Sequence, residues 1–227
     1  GMFMLGLIYY ASAEVYLIDR SVADLSTPAS IGIGLAFLAG GWIVYDLLCR
    51  SPLGRREPIL AAVMLVLCAF AAYALTQLYS GRGAYIHFGA MLGTIMTANV
   101  FFVIMPGQRE MVRARVEGRA PDPMHAARGK QRSVHNTYFT LPVLFTMISN
   151  HYALFTNAKW NWLVLMAIAL AGVFIRLFFT FRHRGIVKPS FWTIGIALLT
   201  AVFVALMPRG AGTAAGATST HGRGELV

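Results

Sequence analysis

Residues 58–78, PILAAVMLVLCAFAAYALTQL, contain no charged side chain. A helix rises 1.5 Å per residue, so 21 such residues extend for about 32 Å, which matches the hydrocarbon core of a bilayer. No strand pattern of alternating polar and apolar residues interrupts the stretch. The sequence therefore predicts a transmembrane helix here.

Similar apolar stretches lie on both sides of this segment. Seven in all are long enough, or nearly so, to cross a membrane: 2–18, 29–49, 58–78, 84–105, 136–157, 160–180 and 190–207. The alternation that a membrane β-barrel requires is absent. We expect an all-α fold, a polytopic integral membrane bundle of about seven transmembrane helices.

Composition supports a membrane protein. Hydrophobic residues make up 57% of the 227 residues and charged residues only 12%, about half the charged share of a soluble domain. So few charges cannot cover the surface of a soluble enzyme, and disordered chains are poor in apolar residues. Both of these classes are excluded.

The basic residues predict an orientation. If seven spans alternate sides, the loops 50–57, 106–135 and 181–189 share one side and carry 13 of the 19 Lys and Arg, against five on the other side. Basic loops stay in the cytoplasm. The amino end is predicted to be cytoplasmic and the carboxyl end outside, and the net charge of +10 reflects this bias rather than nucleic-acid binding.

Residues 208–227 are rich in Gly, Ala and Thr, which is typical of a flexible linker after a membrane domain at 1–207.

The two cysteines of the sequence predict no covalent haem. Cys49 and Cys68 form no CxxC or CxxCH motif, and we assign no metal ligands.

Polar side chains within apolar spans are candidates for function, because each is costly in hydrocarbon. Those predicted near the outer side are Glu14, His87, Asn150 and His151. Those near the cytoplasmic side are Asp46, His135, Arg176 and His183, with Asn99 deeper. Paired histidines on neighbouring helices can ligate haem or accept protons. Alternatively, each histidine bonds a carbonyl or tyrosine, and Arg176 reaches the boundary with Asp46 as its counter-charge.

Several strings resemble one known family. They are GRGAYIHFGAMLGTIMTANVFFVIMPGQREMV at 81–112, GKQRSVHNTYFTLPVLFTMISNHY at 129–152, Trp160-Asn161-Trp162-Leu163, and RLFFTFRHRG at 176–185. This region resembles the membrane-bound, cytochrome c-linked urate oxidases, also called urate hydroxylases, from about residue 2 to 207. In that family an amino-terminal membrane domain is followed by a cytochrome c domain.

The resemblance implies an enzyme of purine catabolism in the bacterial inner membrane. It would oxidise urate to 5-hydroxyisourate and pass the electrons to cytochrome c. Because this chain lacks CxxCH, the acceptor would be a missing domain after the linker or a separate protein carrying haem c, and a haem b between histidines of the membrane domain is a further candidate. The partners implied are the lipid bilayer, urate and the cytochrome.

Oxidation of the planar urate anion needs a base, donors for its carbonyl groups and an exit for electrons. The residues that we assign to these roles are as follows: His87, His151, Asn150 and Glu14 for catalysis; Asn161, Asn99 and Arg176 for substrate; and His87, His151, His135 and His183 for a cofactor.

Two alternatives stay open from the sequence. The chain can be a haem- or quinone-linked redox anchor that relays electrons while another subunit carries out the chemistry. It can also transport a small anion such as a purine, although transporters usually contain internal repeats with paired broken helices, and Pro142 stands alone.

Overall fold

The computed structural model describes residues 2–207, with side chains from residue 6. The linker expected at 208–227 lies outside the described residues. The described chain is helical and contains no strand. Its helices are α1 (Met2–Ala11), α2 (Ala13–Tyr16), α3 (Thr27–Arg50), α4 (Glu57–Leu78), α5 (Gly81–Asn99), α6 (Met105–Val116), α7 (Pro123–Ile148), α8 (Ala153–Thr156), α9 (Asn161–His183) and α10 (Pro189–Leu206).

Five helices of the described region are long and apolar enough to cross a membrane. They are α3, α4, the continuous helix Gly81–Val116, α9 and α10. These correspond to five of the seven predicted stretches. Large apolar side chains such as Phe70, Phe102 and Phe203 are more than 60% exposed, which suits a surface that faces lipid rather than water.

Local sequence signals set where these helices begin. Proline occupies the first turn of α3, α4, α7 and α10, where its missing N–H costs no hydrogen bond. The Ser80 hydroxyl accepts the Gly83 N–H at 3.0 Å and caps α5. The helix continues from α5 into α6 through a π-helical turn at Val100–Ile104. Pro106 follows this turn, and a proline ring clashes with the carbonyl four residues earlier, here that of Phe102.

Helix α5 is the centre of the bundle. It packs against α3, α4 and α7, and α9 packs against α7 and α10. A small residue brings α5 close to α7, because a Cβ at Gly89 would lie 2.8 Å from Thr146 Cβ. Small residues at helix contacts let membrane helices approach closely. The polar residues of α3, α5 and α7 are thereby brought together.

The first predicted span, 2–18, is wrong as one helix. The backbone leaves the helical region at Ser12 (φ −110°, ψ 33°) and separates α1 from α2. The chain is also held at the end of α2, where the Leu17 carbonyl accepts the Ser80 N–H at 3.1 Å. Helix α1, Met2–Ala11, rises about 15 Å along its 10 residues, and the four-residue α2 follows it.

The fifth predicted span, 136–157, has the wrong limits. Helix α7 begins at Pro123, inside the segment 106–135 that the sequence predicts as a loop, and ends at Ile148. The Asp122 carboxylate caps it by accepting the Met124 N–H at 2.8 Å. Because α6 also lies in that segment, its non-helical part shrinks to the six residues between Val116 and Pro123.

The contact of α5 with α7 gives a test of the packing. Gly89→Ala should lower the stability of the bundle by about 1–3 kcal/mol, because the new methyl group overlaps the short, branched Thr146. Gly93→Ala, on the same helix with nothing within 4 Å of its Cβ, is the matched control. Thermal unfolding in detergent measures both, and an equal change in the two variants would contradict the packing.

The predicted orientation can be tested by reporter fusion. Alkaline phosphatase is active only outside the cytoplasm. It should be active when fused after Met207, at the end of α10, and inactive when inserted between Val116 and Pro123 in the basic region. The reverse pattern would overturn the orientation.

Candidate functional site

Four helices bring a polar network together inside the bundle. Tyr45 comes from α3, Asn99 from the end of α5, His135 and Asn136 from α7, and Glu57 from the start of α4. The Tyr45 hydroxyl lies 2.8 Å from His135 Nδ1 and accepts Asn99 Nδ2 at 3.2 Å. Asn99 Nδ2 also donates to Asn136 Oδ1 at 2.9 Å.

The partners of His135 fix the direction of its hydrogen bonds. His135 Nε2 lies 3.1 Å from a Glu57 carboxylate oxygen, which only accepts, so Nε2 carries the proton and Nδ1 accepts from Tyr45. Tyr45 is 1% exposed, whereas the Glu57 side chain is 60% exposed. Gln131 Nε2 donates to the other Glu57 oxygen at 2.8 Å. These residues form a hydrogen-bonded path from the buried Tyr45 to the protein surface.

A buried ion pair lies against the network. Arg132 Nη2 is 2.8 Å from Asp46 Oδ1, and Arg50 Nε approaches the other oxygen of the same carboxylate at 2.6 Å. The Arg132 guanidinium also stacks over the Tyr45 ring, 4.7 Å from its centroid. Arg132 Nη1 is buried and has no partner among the described residues. The Asp46–Arg132 pair links α7 to α3, and Arg132 Nη1 is left as a charged donor without a partner among the described residues.

A cleft of about 180 Å³ borders the network. Its polar wall consists of Tyr45, Glu57, His135 and Tyr138. The rest of the lining is apolar and comes from α4, α5, α7 and α9: Leu60, Ala61, Met64, Leu65, Cys68, Phe88, Leu92, Phe139, Pro142, Met166, Ala169, Leu170 and Val173. A largely apolar cleft with a few converging polar groups is the usual form of a small-molecule site.

A second polar cluster surrounds His87 on α5. Its Nδ1 donates to the Gly83 carbonyl at 3.2 Å, and its Nε2 accepts the Tyr10 hydroxyl at 3.0 Å. Tyr9 and Tyr79 rings also pack against the imidazole. Both nitrogens of this 1% exposed histidine are therefore engaged within a tightly packed group.

The other predicted outer residues do not join His87. Asn150 and His151 are exposed in a 3₁₀ turn after α7, and the exposed Glu14 accepts the Thr27 hydroxyl at 3.0 Å. Asn161 Nδ2 donates to the Thr156 carbonyl at 3.1 Å and so closes a turn. The sequence places several of these residues at one depth, but equal depth did not bring them into contact.

The inner candidates are also divided. His183 is exposed and bonds the Phe179 carbonyl of its own helix at 2.6 Å. Arg176 is half-buried, with no partner for Nε among the described residues. Asp46 was expected as a counter-charge for Arg176, and this is wrong, because Arg132 and Arg50 occupy the carboxylate.

Sequence reasoning missed Tyr45, Glu57 and Arg132 as site residues. Arg132 was hidden because residues 123–135 were predicted as a loop, and Glu57 because it precedes its span. The sequence did contain a signal. Gln131 and Arg132 precede His135 by four and three residues, so in a helix the three polar side chains share one face, directly before the apolar span that begins at residue 136.

The described histidines do not fit a haem held by two axial imidazoles. Both nitrogens of His87 and of His135 have protein partners. The two histidines also lie at different depths, because His87 precedes Asn99, the α5 residue in the His135 network, by twelve residues, or about 18 Å of helix. His125, His151 and His183 are exposed. No group of three or more His, Cys, Asp or Glu suited to a metal ion occurs in the part of the chain that the structure describes.

Comparison with known families identifies the class of this membrane bundle. Residues 1–207 match the urate oxidase N-terminal family, a span that includes the network, the cleft and the His87 cluster. The chain belongs to this family. No curated protein and no solved structure gives a significant match.

The buried ion pair gives a stability prediction. Asp46→Asn leaves the Arg132 charge buried and unpaired, and we expect a loss of about 3–5 kcal/mol in the free energy of unfolding. Glu110→Gln removes a carboxylate from the exposed pairs with Arg113 and Arg119 and should change stability little. Chemical unfolding in detergent measures both. Equal losses would show that the Asp46 pair does not hold α3 to α7.

Proposed function

We propose that the chain is the membrane domain of an oxidoreductase that oxidises urate to 5-hydroxyisourate and passes electrons to cytochrome c. The family gives the urate relation. The observation that supports this site for the reaction is the Tyr45–His135–Glu57 path. Its three residues line the cleft, and the path runs from the buried Tyr45 to the exposed Glu57.

The reaction sets what this site must do. Urate and one water molecule give 5-hydroxyisourate, two protons and two electrons, as C5 of the purine gains the hydroxyl group. A base must take protons from the substrate and water, and a path must carry these protons away. Two equivalents of oxidised cytochrome c take the electrons.

The residues of the cleft have suitable roles. His135 lines the cleft and is the general base, oriented by hydrogen bonds with Glu57 and Tyr45. The flat apolar walls, with Phe88 and Phe139 among them, accept a planar purine ring. Arg132 is a positioning residue, because its guanidinium holds the Tyr45 ring. Asn99 orients the Tyr45 hydroxyl.

Electron transfer imposes a further requirement. The network lies near the start of α4, whereas the last described residues of α10 lie at the opposite end of the bundle if the spans alternate. Electrons released beside His135 then have to cross most of the bilayer to reach a cytochrome on that side. Because the described histidines do not fit an intervening haem, we assign the redox carrier to a component outside the described residues.

The role of His135 can be tested in membranes with urate and oxidised cytochrome c. His135→Ala should reduce urate-dependent cytochrome reduction by at least about 100-fold, because general base catalysis contributes that much. His183→Ala removes an exposed histidine that bonds only its own helix, and should retain activity. His87→Ala and His151→Ala test the two histidines assigned to catalysis from the sequence.

A fold control separates chemistry from structure. His135→Gln keeps a polar side chain of similar reach, and unfolding in detergent should remain close to that of the wild type. Full activity of His135→Ala would overturn the placement of the base. A haem spectrum with no urate turnover in the complete membrane system would instead support the redox-anchor function.

A further inference from the structure

A separate pocket of about 110 Å³ lies on the other side of Arg132 from the cleft. It is formed by the end of α3, the π-helical turn, and the first half of α7. Its lining residues are Cys49, Arg50, Phe102, Val103, Pro106, His125, Arg128, Gln131 and Arg132. None of these is acidic, so the wall of the pocket is basic.

One of the lining residues, Arg132, has a donor without a partner among the described residues. Arg132 is 3% exposed, and although Nη2 is paired with Asp46, the buried Nη1 has no partner among the described residues. Leaving a charged donor buried without a partner costs free energy, so such a group indicates a missing acceptor. Arg128 also lines the pocket and makes no ion pair within the described region.

The charge around the pocket exceeds what the protein neutralises. Three guanidinium groups, of Arg50, Arg128 and Arg132, surround it, while the Asp46 carboxylate serves two of them. Guanidinium groups bind phosphate through paired, charge-assisted hydrogen bonds. An oxyanion would supply both the missing charge and the missing acceptor.

The apolar part of the wall indicates that the anion is a lipid headgroup and not a free ion. Phe102 lines the pocket and is 64% exposed on the outer surface of the bundle, next to the similarly exposed Phe101. The pocket therefore continues into the lipid-facing surface instead of opening only to water. Basic pockets between transmembrane helices at the cytoplasmic side suit lipid headgroups with this combination of charge and hydrocarbon.

We propose that this pocket binds the phosphate group of an anionic phospholipid, with Arg132 Nη1 and Arg128 as donors and Phe102 against the acyl chain. The proposal does not rest on the proposed urate chemistry, although Arg132 belongs to both sites. The bound phosphate would offset the positive charge of Arg50, Arg128 and Arg132 that the single Asp46 carboxylate leaves in excess.

Native mass spectrometry of the purified chain in detergent tests the proposal. The wild type should retain phosphatidylglycerol in preference to the zwitterionic phosphatidylcholine, and Arg128→Gln should weaken that retention about tenfold, through loss of a charge-assisted hydrogen bond. Arg115→Gln, an exposed arginine of α6 outside the pocket, removes the same charge and should leave retention unchanged.

Free phosphate is distinguished in a second arm. Inorganic phosphate, added at the same concentration as the lipid, should neither displace phosphatidylglycerol nor raise the unfolding temperature. Equal retention of phosphatidylglycerol by the Arg128 and Arg115 variants would overturn the site. Stabilisation by inorganic phosphate without any preference between the two lipids would overturn the lipid as its source.

Discussion

The ion pair of Asp46 with Arg132 is the interaction on which the polar network of this bundle depends. A lone charge is costly in hydrocarbon. The Asp46 carboxylate has two partners, Arg132 at 2.8 Å and Arg50 at 2.6 Å, whereas Asp46 is the one acidic partner of the buried Arg132 among the described residues. The pair links α3 to α7, the helices that carry Tyr45 and His135. The same guanidinium stacks on the Tyr45 ring of the cleft network and lines the basic pocket.

The two histidine levels differ in what surrounds them. His87 is enclosed by tyrosine rings and does not line the cleft that borders His135, which suits a group that holds α1, α5 and the end of α4 together. His135 lines the cleft together with its carboxylate partner Glu57. A proton accepted there has a route to the surface through Glu57. This difference in surroundings, rather than burial alone, favours His135 for acid–base chemistry.

The proposed reaction releases both protons and electrons at one site, and the two must leave by different routes. Protons released at His135 leave over a short distance, because the path ends at the exposed Glu57. Under the same proposal, electrons passed to a cytochrome on the opposite side of the membrane would have to cross most of the bilayer. The relation of the family to urate is consistent with the release of protons and electrons at this site. We assign the described residues to proton transfer, and we assign no electron carrier among them.

The sequence by itself determined the membrane class, the all-α fold and five of the long helices, because hydrocarbon selects for continuous apolar residues that can be counted. It also marked His135 and Asn99, since polar groups in such stretches stand out. The break at Ser12, near which Leu17 accepts a hydrogen bond from the distant Ser80, was not found from the sequence. The start of α7 was also predicted too late, although the local signals at Pro123, a first-turn proline and the Asp122 cap, were present in the sequence. Which polar groups meet was decided by tertiary structure alone. A transmembrane sequence records the depth of a side chain, but helix packing sets its direction and neighbours.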